Sequence, residues 1–157
     1  MTIAFCQVAE NLMVLNLLGR WNLAAVPDLS EHPIRASDPR KAFCNLSCKL
    51  EKLNLSDCLF LKELPQSIRK LVSLKEFSLD HSAIEELPDS VGYLGNLEKL
   101  SLIGCSAVIA IPGSVGNLRS LTEFLIDGAA VNELPHTISQ LSYLKAFSVS
   151  NCRFLSK

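Results

Sequence analysis

From Leu50 onward the chain keeps restarting. Leu50 opens LEKLNLSDCLFLKELPQSIRKLVS, Leu74 opens LKEFSLDHSAIEELPDSVGYLGN, and Leu97 opens LEKLSLIGCSAVIAIPGSVGNLRS. Leu121 opens LTEFLIDGAAVNELPHTISQLSY, and Leu144 opens LKAFSVSNCRFLSK. The steps between these leucines are 24, 23, 24 and 23 residues. Each copy begins on an L-x-x-L-x-L frame, with Phe, Ile or Val at some of its leucines, in which two apolar residues flank one that is polar in all but the copy from Leu121, as Leu53 and Leu55 flank Asn54. A period of two puts both on one face of a short strand. Such a strand cannot make a sheet alone, so the copies have to stack, pair in parallel and share one core.

The second half of each unit carries an apolar residue and proline, then a hydroxyl residue: Pro65/Ser67, Pro88/Ser90, Pro112/Ser114 and Pro135/Thr137. Proline sets its own φ and supplies no N–H. The hydroxyl is expected to bond a free backbone N–H where a short helical turn begins. The pairs Ile68/Leu71, Val91/Leu94, Val115/Leu118 and Ile138/Leu141, spaced i, i+3, are expected to pack that turn inward. Strand half, helical half and a period of this length together are the signature of a leucine-rich repeat. The expected fold is therefore α/β: a curved solenoid with short parallel strands on its concave face and short helical or 3-10 turns and loops on its convex face.

The chain has 157 residues, a length suited to one domain. A 48% hydrophobic content is accounted for if every repeat contributes a full row of core residues, and leucine alone supplies 28 positions. The formal net charge of −1 offers nothing to draw the chain to nucleic acid or to an anionic membrane. No apolar run approaches the roughly 20 residues of a membrane-spanning helix. MTIAFCQVAEN at the start has neither a basic region nor a long apolar run, so no signal peptide is read there.

Cys58, Cys105 and Cys152 are 47 residues apart, two repeats each time, and hold the same place in their units. Parallel strands lie about 4.8 Å apart, so these residues are separated by about 9–10 Å, beyond a disulfide's reach. They are expected as buried thiols in a ladder, with Ser82 and Ala129 on the rungs between. Free thiols fit a reducing compartment, so the glycosylation sequons at Asn45 and Asn54 are read as chance.

Residues 10–30 read as a first repeat, with Leu12, Leu15 and Leu17 on the motif and Val26-Pro27 at the helical step. Residues 31–49 break the pattern. The period requires a leading leucine at Ala36 and strand positions at Pro39 and Lys41, poor choices for a central strand. An irregular loop or shortened repeat, weakly coupling the first repeat to the rest, is expected there. Residues 50–157 form the regular array, whose last unit is incomplete. No polar capping repeat is evident, so the chain reads as one solenoid, 1–157, cut from or truncated relative to a longer array.

Three stretches carry a more specific likeness: ENLMVLNLLG with PDLS at 10–30, LEKLNLSDC at 50–58 and AIEELPDSVGYLGNLEKLSL at 83–102. With the cysteine in every second repeat, they resemble the leucine-rich-repeat region of plant intracellular disease-resistance proteins, which also carry a toll/interleukin-1 receptor domain and a nucleotide-binding domain. That resemblance implies a non-enzymatic, cytoplasmic or nuclear module of defence signalling. Such a module senses a pathogen effector or a guarded host protein and restrains the nucleotide-binding domain. This chain itself has no Gly-x-x-x-x-Gly-Lys-Ser/Thr loop.

The concave face is the expected binding surface. Its candidate contacts are Lys52, Asn54, Asp57, Lys75, Glu76, Ser78, Asp80, His81, Lys99, Ser101, Ile103, Glu123, Leu125, Asp127, Lys145 and Ser148, with Ile103 and Leu125 as apolar contacts. No aromatic stands among them, although hot spots favour Trp, Tyr and Arg. A plain solvated strand face competes with the binding reading. A general intracellular scaffold that docks a signalling protein, or a non-functional truncated copy, competes with the receptor reading. His32, His81 and His136 fall at unrelated positions, and His81 near Asp57 and Asp80 reads as open surface, so no catalytic residue is assigned. Cys44 and Cys48 lack a second pair, and Trp21 is expected in the first repeat's turn. No metal site and no cofactor are assigned.

Replacing Leu100 by aspartate is predicted to put an unpaired carboxylate in the core, at a cost on the order of several kcal/mol. Leu100→Asp should therefore lose the cooperative thermal transition seen by circular dichroism, whereas a soluble variant melting cooperatively would refute the strand assignment.

Overall fold

The computed structural model describes residues 13–19, 23, 24, 26 and 49–155. Six three-residue strands run in chain order through one parallel sheet: β1 (Val14–Asn16), β2 (Lys52–Asn54), β3 (Glu76–Ser78), β4 (Lys99–Ser101), β5 (Glu123–Leu125) and β6 (Ala146–Ser148). The register never slips. Leu15, Leu53, Phe77, Leu100, Phe124 and Phe147 pair neighbour to neighbour along one row. Four 3-10 helices lie on the opposite side: η1 (Gln66–Lys70), η2 (Asp89–Tyr93), η3 (Gly113–Asn117) and η4 (His136–Gln140). This is the expected leucine-rich-repeat solenoid.

The core lies between strands and helices. In the first complete repeat Leu50, Leu53, Leu55, Leu61, Leu64, Ile68 and Leu71 are all buried, and the next two repeats bury the corresponding positions. Each such side chain is worth about 1.5–3 kcal/mol on burial, and each finds its cover in a neighbouring repeat. Leu100 is fully buried. At the last rungs Phe124 stacks on Phe147 with ring centroids 5.7 Å apart.

The alternation of 24 and 23 residues has a local cause. The longer repeats turn once more just after the cysteine, where the amides of Leu61, Val108 and Leu155 donate to the carbonyls of Cys58, Cys105 and Cys152 at 3.1, 3.2 and 3.3 Å. The shorter repeats have no such turn. There Ala83 and Ala130 donate instead to Cys58 and Cys105 of the preceding repeat, each at 3.4 Å. Length and cysteine alternate together because the extra residue sits in the turn that the cysteine opens.

Two sequence expectations require correction. The hydroxyls of the helical step do not cap it. The capping position is taken by Pro65, Pro88, Pro112 and Pro135, and none of the four helices has a side-chain cap. The hydroxyl residue stands two places later, inside the helix. There the Ser90 and Ser114 oxygens are buried without a hydrogen-bond partner, while Thr137 donates across to the Gly113 carbonyl at 2.7 Å. Proline cannot serve as the cap, but a residue two places inside the helix comes too late to do so. The second correction concerns the first repeat. β1 adjoins β2 with no strand between, and Leu17 and Gly19 donate to Asn54 and Ser56 at 2.8 and 2.9 Å. At the strands this junction is paired like the others, not weakly. The irregular stretch 31–48, with His32, Cys44 and Cys48, lies outside the described residues, as do Cys6 and Trp21.

Helix-to-helix spacing depends on small residues. A Cβ added at Gly92 would lie 2.5 Å from the Ser114 carbonyl oxygen, whereas one at Gly95 meets nothing within 4 Å. Gly92→Ala is predicted to lower stability by about 1–3 kcal/mol, since backbone has to move. Gly95→Ala should stay within about 0.5 kcal/mol of the parent. Urea melts of the two variants side by side check the assignment, and equal midpoints would contradict it.

Candidate functional site

The concave surface is built from the strand positions that alternate with the core row. One column reads Val14, Lys52, Glu76, Lys99, Glu123, Ala146, and the column before it reads Met13, Glu51, Lys75, Glu98, Thr122, Lys145. Opposite charges therefore meet across rungs. Lys52 pairs with Glu76 at 2.6 Å, Lys75 with Glu51 at 3.1 Å, and Lys99 with Glu123 at 2.9 Å. Glu76 bonds to the Lys52 ammonium and raises its pKa from the ordinary lysine value. Cross-strand pairs of this kind are exposed and individually weak. They nonetheless mean that a partner has to compete with charges already matched.

Two further columns carry the face toward its edge. Asn16 and Asn54 each accept an amide two residues on in their own chain, from Leu18 at 3.0 Å and Ser56 at 2.9 Å. In the later repeats an aspartate takes over from the neighbouring rung. Asp80 accepts from the Ser101 hydroxyl at 2.5 Å and the Ile103 amide at 2.9 Å. Asp127 accepts from the Ser148 hydroxyl and the Ser150 amide, both at 2.7 Å. The bond from Ser148 leads the interactions that hold the Asp127 carboxyl below its ordinary pKa. Asp80 and Asp127 are 47 residues apart, the same two-repeat step as the cysteines.

The sixteen candidate contacts therefore have different roles. Lys52 and Lys145 are exposed, and Lys75, Glu76, Lys99 and Glu123 are half-buried in the ion-pair lattice or beside it. Asn54, Ser78, Ile103, Leu125 and Ser148 are half-buried. Ser101 is a correction: it is 1% exposed, held under Asp80, and is not part of the accessible face. The alternation rule points it outward, but the neighbouring aspartate folds over it.

Asp57 and His81 also change role. They stand in a column that turns left-handed in every described repeat: Gly19, Asp57, His81, Gly104, Gly128 and Asn151, with φ between 56° and 70°. The amides of Gly19, Asp57, His81, Gly104 and Gly128 each donate to a carbonyl on the next rung, at 2.7–2.9 Å. Glycine, asparagine, aspartate and histidine are the residues most tolerant of this conformation. The column of G, D, H, G, G and N was thus a readable signal that strand alternation hid. The His81 ring lies directly over Gly104, where a Cβ would collide with it.

Behind the face, the cysteine ladder is as expected. Cys58, Cys105 and Cys152 are thiols held in no disulfide, the first two buried and the third half-buried. Each thiol donates to a carbonyl of the preceding repeat: to Leu17 at 3.5 Å, Leu79 at 3.0 Å and Ile126 at 3.1 Å. Ser82 stands 3.7 Å from the Cys105 sulfur. Burial pushes the Cys105 thiol up from its ordinary pKa. Among the described residues no group of three His, Cys, Asp or Glu side chains is placed to hold a metal ion, and no helix is long and apolar enough to cross a membrane.

A family model, Leucine Rich Repeat, matches residues 49–71, most of one unit of the array. No curated protein matches the sequence. Among solved structures, the functional domain of InlJ from Listeria monocytogenes, described as including a cysteine ladder, is similar over 68% of this chain and 26% of that one, at 14% identity and a TM-score of 0.50. The leucine-rich repeat domain of the type III effector XopL is similar over 67% of this chain and 43% of that one, at 23% identity and a TM-score of 0.49. A leucine-rich repeat protein of Leptospira interrogans is similar over 93% and 56%, at 17% identity and a TM-score of 0.31. The chain thus spans well under two thirds of each.

Asp127 has a folded pKa below its unfolded one. The stability it contributes is therefore complete above the ordinary carboxylate value of about 4 and is lost as pH falls through the lower folded value. Asp127→Ala should melt below the parent at neutral pH, with the gap narrowing in acid, at about pH 3 and below. A gap of the same size at both pH values would show that the carboxylate charge does not hold Ser148 and Ser150.

Proposed function

We propose that this solenoid is the recognition region of an intracellular plant disease-resistance receptor, binding protein through its concave face. The carrying observation is that face itself: consecutive strands in unbroken register present rows of exposed or half-exposed polar side chains over an open surface. Stacked repeats of this class are interaction scaffolds. The receptor reading is supported by the Glu-Leu-Pro helical step, the PDLS opening and the cysteine in every second unit. Its partners are a pathogen effector, a guarded host protein, or the receptor's own nucleotide-binding domain. Ladder thiols held in no disulfide favour a reducing compartment, the cytoplasm or nucleus. The role is binding without catalysis, since His81 serves the backbone turn and covers Gly104.

A general intracellular scaffold is the second reading. It is favoured by the matched charges of the concave lattice, which leave few uncompensated groups for a high-affinity ligand.

The test begins with the genomic locus. The receptor reading expects a nucleotide-binding domain encoded upstream in the same gene. That domain, expressed separately, should co-precipitate with this chain and lose about tenfold in affinity on Lys75→Glu with Lys99→Glu. A locus without such a domain, or capture that ignores both reversals, overturns it.

A further inference from the structure

One flank of the solenoid carries a surface that the concave-face reading does not use. Two residues after the cysteine in the longer repeats and one after the serine or alanine in the shorter, a column runs across five repeats: Phe60, Ala83, Ala107, Ala130 and Phe154. The extra residue of the cysteine turn accounts for that difference: past the turn the Ala110 to Glu133 bridge fixes a 23-residue offset, which sets Ala107 beside Ala130, while Ala83 and Ala130 bond back to the Cys58 and Cys105 carbonyls. Phe60 and Phe154 are 59% and 66% exposed, and the three alanines between are half-buried. Ile109, 60% exposed, stands beside the middle of the column. The result is an apolar strip, with half-buried alanine along its middle and exposed phenylalanine at each end. Four rungs of about 4.8 Å make it about 19 Å long, the length of a helix of about 13 residues.

Both margins are acidic. Toward the concave face stand Asp57, Asp80 and Asp127. On the other side stand Glu63, Glu86 and Glu133, all exposed and none in an ion pair among the described residues. The Ala110 to Glu133 bridge and the Glu85 amide bond to Lys62 confirm that these positions run alongside the column. Of the cations on this flank, Lys62 is matched by Glu85 at 2.9 Å, and Arg153 stands exposed beside Phe154 at one end.

We propose that this flank docks an amphipathic helix of a partner protein, one with an apolar stripe and lysine or arginine along both of its margins. The apolar column accepts the stripe, and the two carboxylate rows meet the basic margins. The same rows repel an anionic membrane and nucleic acid phosphate. The site shares Asp57, Asp80 and Asp127 with the edge of the concave face and does not depend on the receptor assignment.

The probe is a fluorescein-labelled peptide of about 14 residues, with leucines at helical spacing and lysines on both sides of them. Its binding to the full chain is read by fluorescence anisotropy, against a scrambled peptide of the same composition. The patterned peptide is expected to bind and the scrambled one to bind at least about tenfold more weakly. Phe60→Ser and Ile109→Ser, each an exposed substitution checked for fold by circular dichroism, should cost about tenfold, and Glu86→Lys with Glu133→Lys at least as much. No binding, equal binding of the scrambled peptide, or affinity untouched by both the apolar and the charge variants overturns the proposal.

Discussion

Three residues of strand cannot bury anything by themselves, and the rest of the molecule follows from that limit. Leu53 and Leu55 are covered because Phe77 and Leu79 lie one rung away, and those are covered in turn by Leu100 and Leu102. The covering works only while each rung stays in register. Register is held by backbone bonds that continue past the strand, through the left-handed residue whose amide reaches the next rung's carbonyl. One residue of slip would turn the whole apolar row to solvent. Glycine, aspartate, histidine and asparagine in that column are thus as much a part of the core's architecture as the leucines.

A second period is laid over the first. Cysteines and capping aspartates both recur every 47 residues, and both reach back or forward exactly one rung. The thiol satisfies a carbonyl behind the sheet, and the carboxylate satisfies an amide at its edge. Where Asp80 and Asp127 are absent, in the first two units, Asn16 and Asn54 perform the edge task within their own repeat. Alternating lysine and glutamate across rungs do the same for charge on the concave face. The array is therefore built in pairs of repeats, and much of its polar surface is spent on joining neighbours. A binding partner meets matched lattice on the concave side and unmatched carboxylates beside apolar residues on the flank.

Much of this was legible beforehand. The leucine period, the inward i, i+3 pairs of the helical turns and the thiol ladder all follow from spacing, because a solenoid repeats one environment at one interval. The concave ion pairs were legible as charges but not as partners, since pairing needs the register between units. Ser101 was misread because alternation assigns a side but not a lid, and Asp80 belongs to another repeat. The capping role given to Ser67, Ser90, Ser114 and Thr137 failed on a count of two residues from proline. Asp57 and His81 fall among the contacts because they follow the strand on its exposed side, while their column as a whole points to backbone geometry. The flank strip went unread because alanine draws no attention until the stacking lines it up.

Amide hydrogen exchange, resolved along the chain by mass spectrometry, tests the central claim most directly. Rung-to-rung backbone bonding predicts slow exchange at the amides of Leu55, Asp57, Leu79, His81, Leu102 and Gly104, recurring at 23- and 24-residue steps. Leu17 and Gly19 should be protected with them, because β1 is paired as the others are. Protection that ignores this period, or fast exchange throughout these positions in the folded protein, would contradict a core held in register by its neighbours.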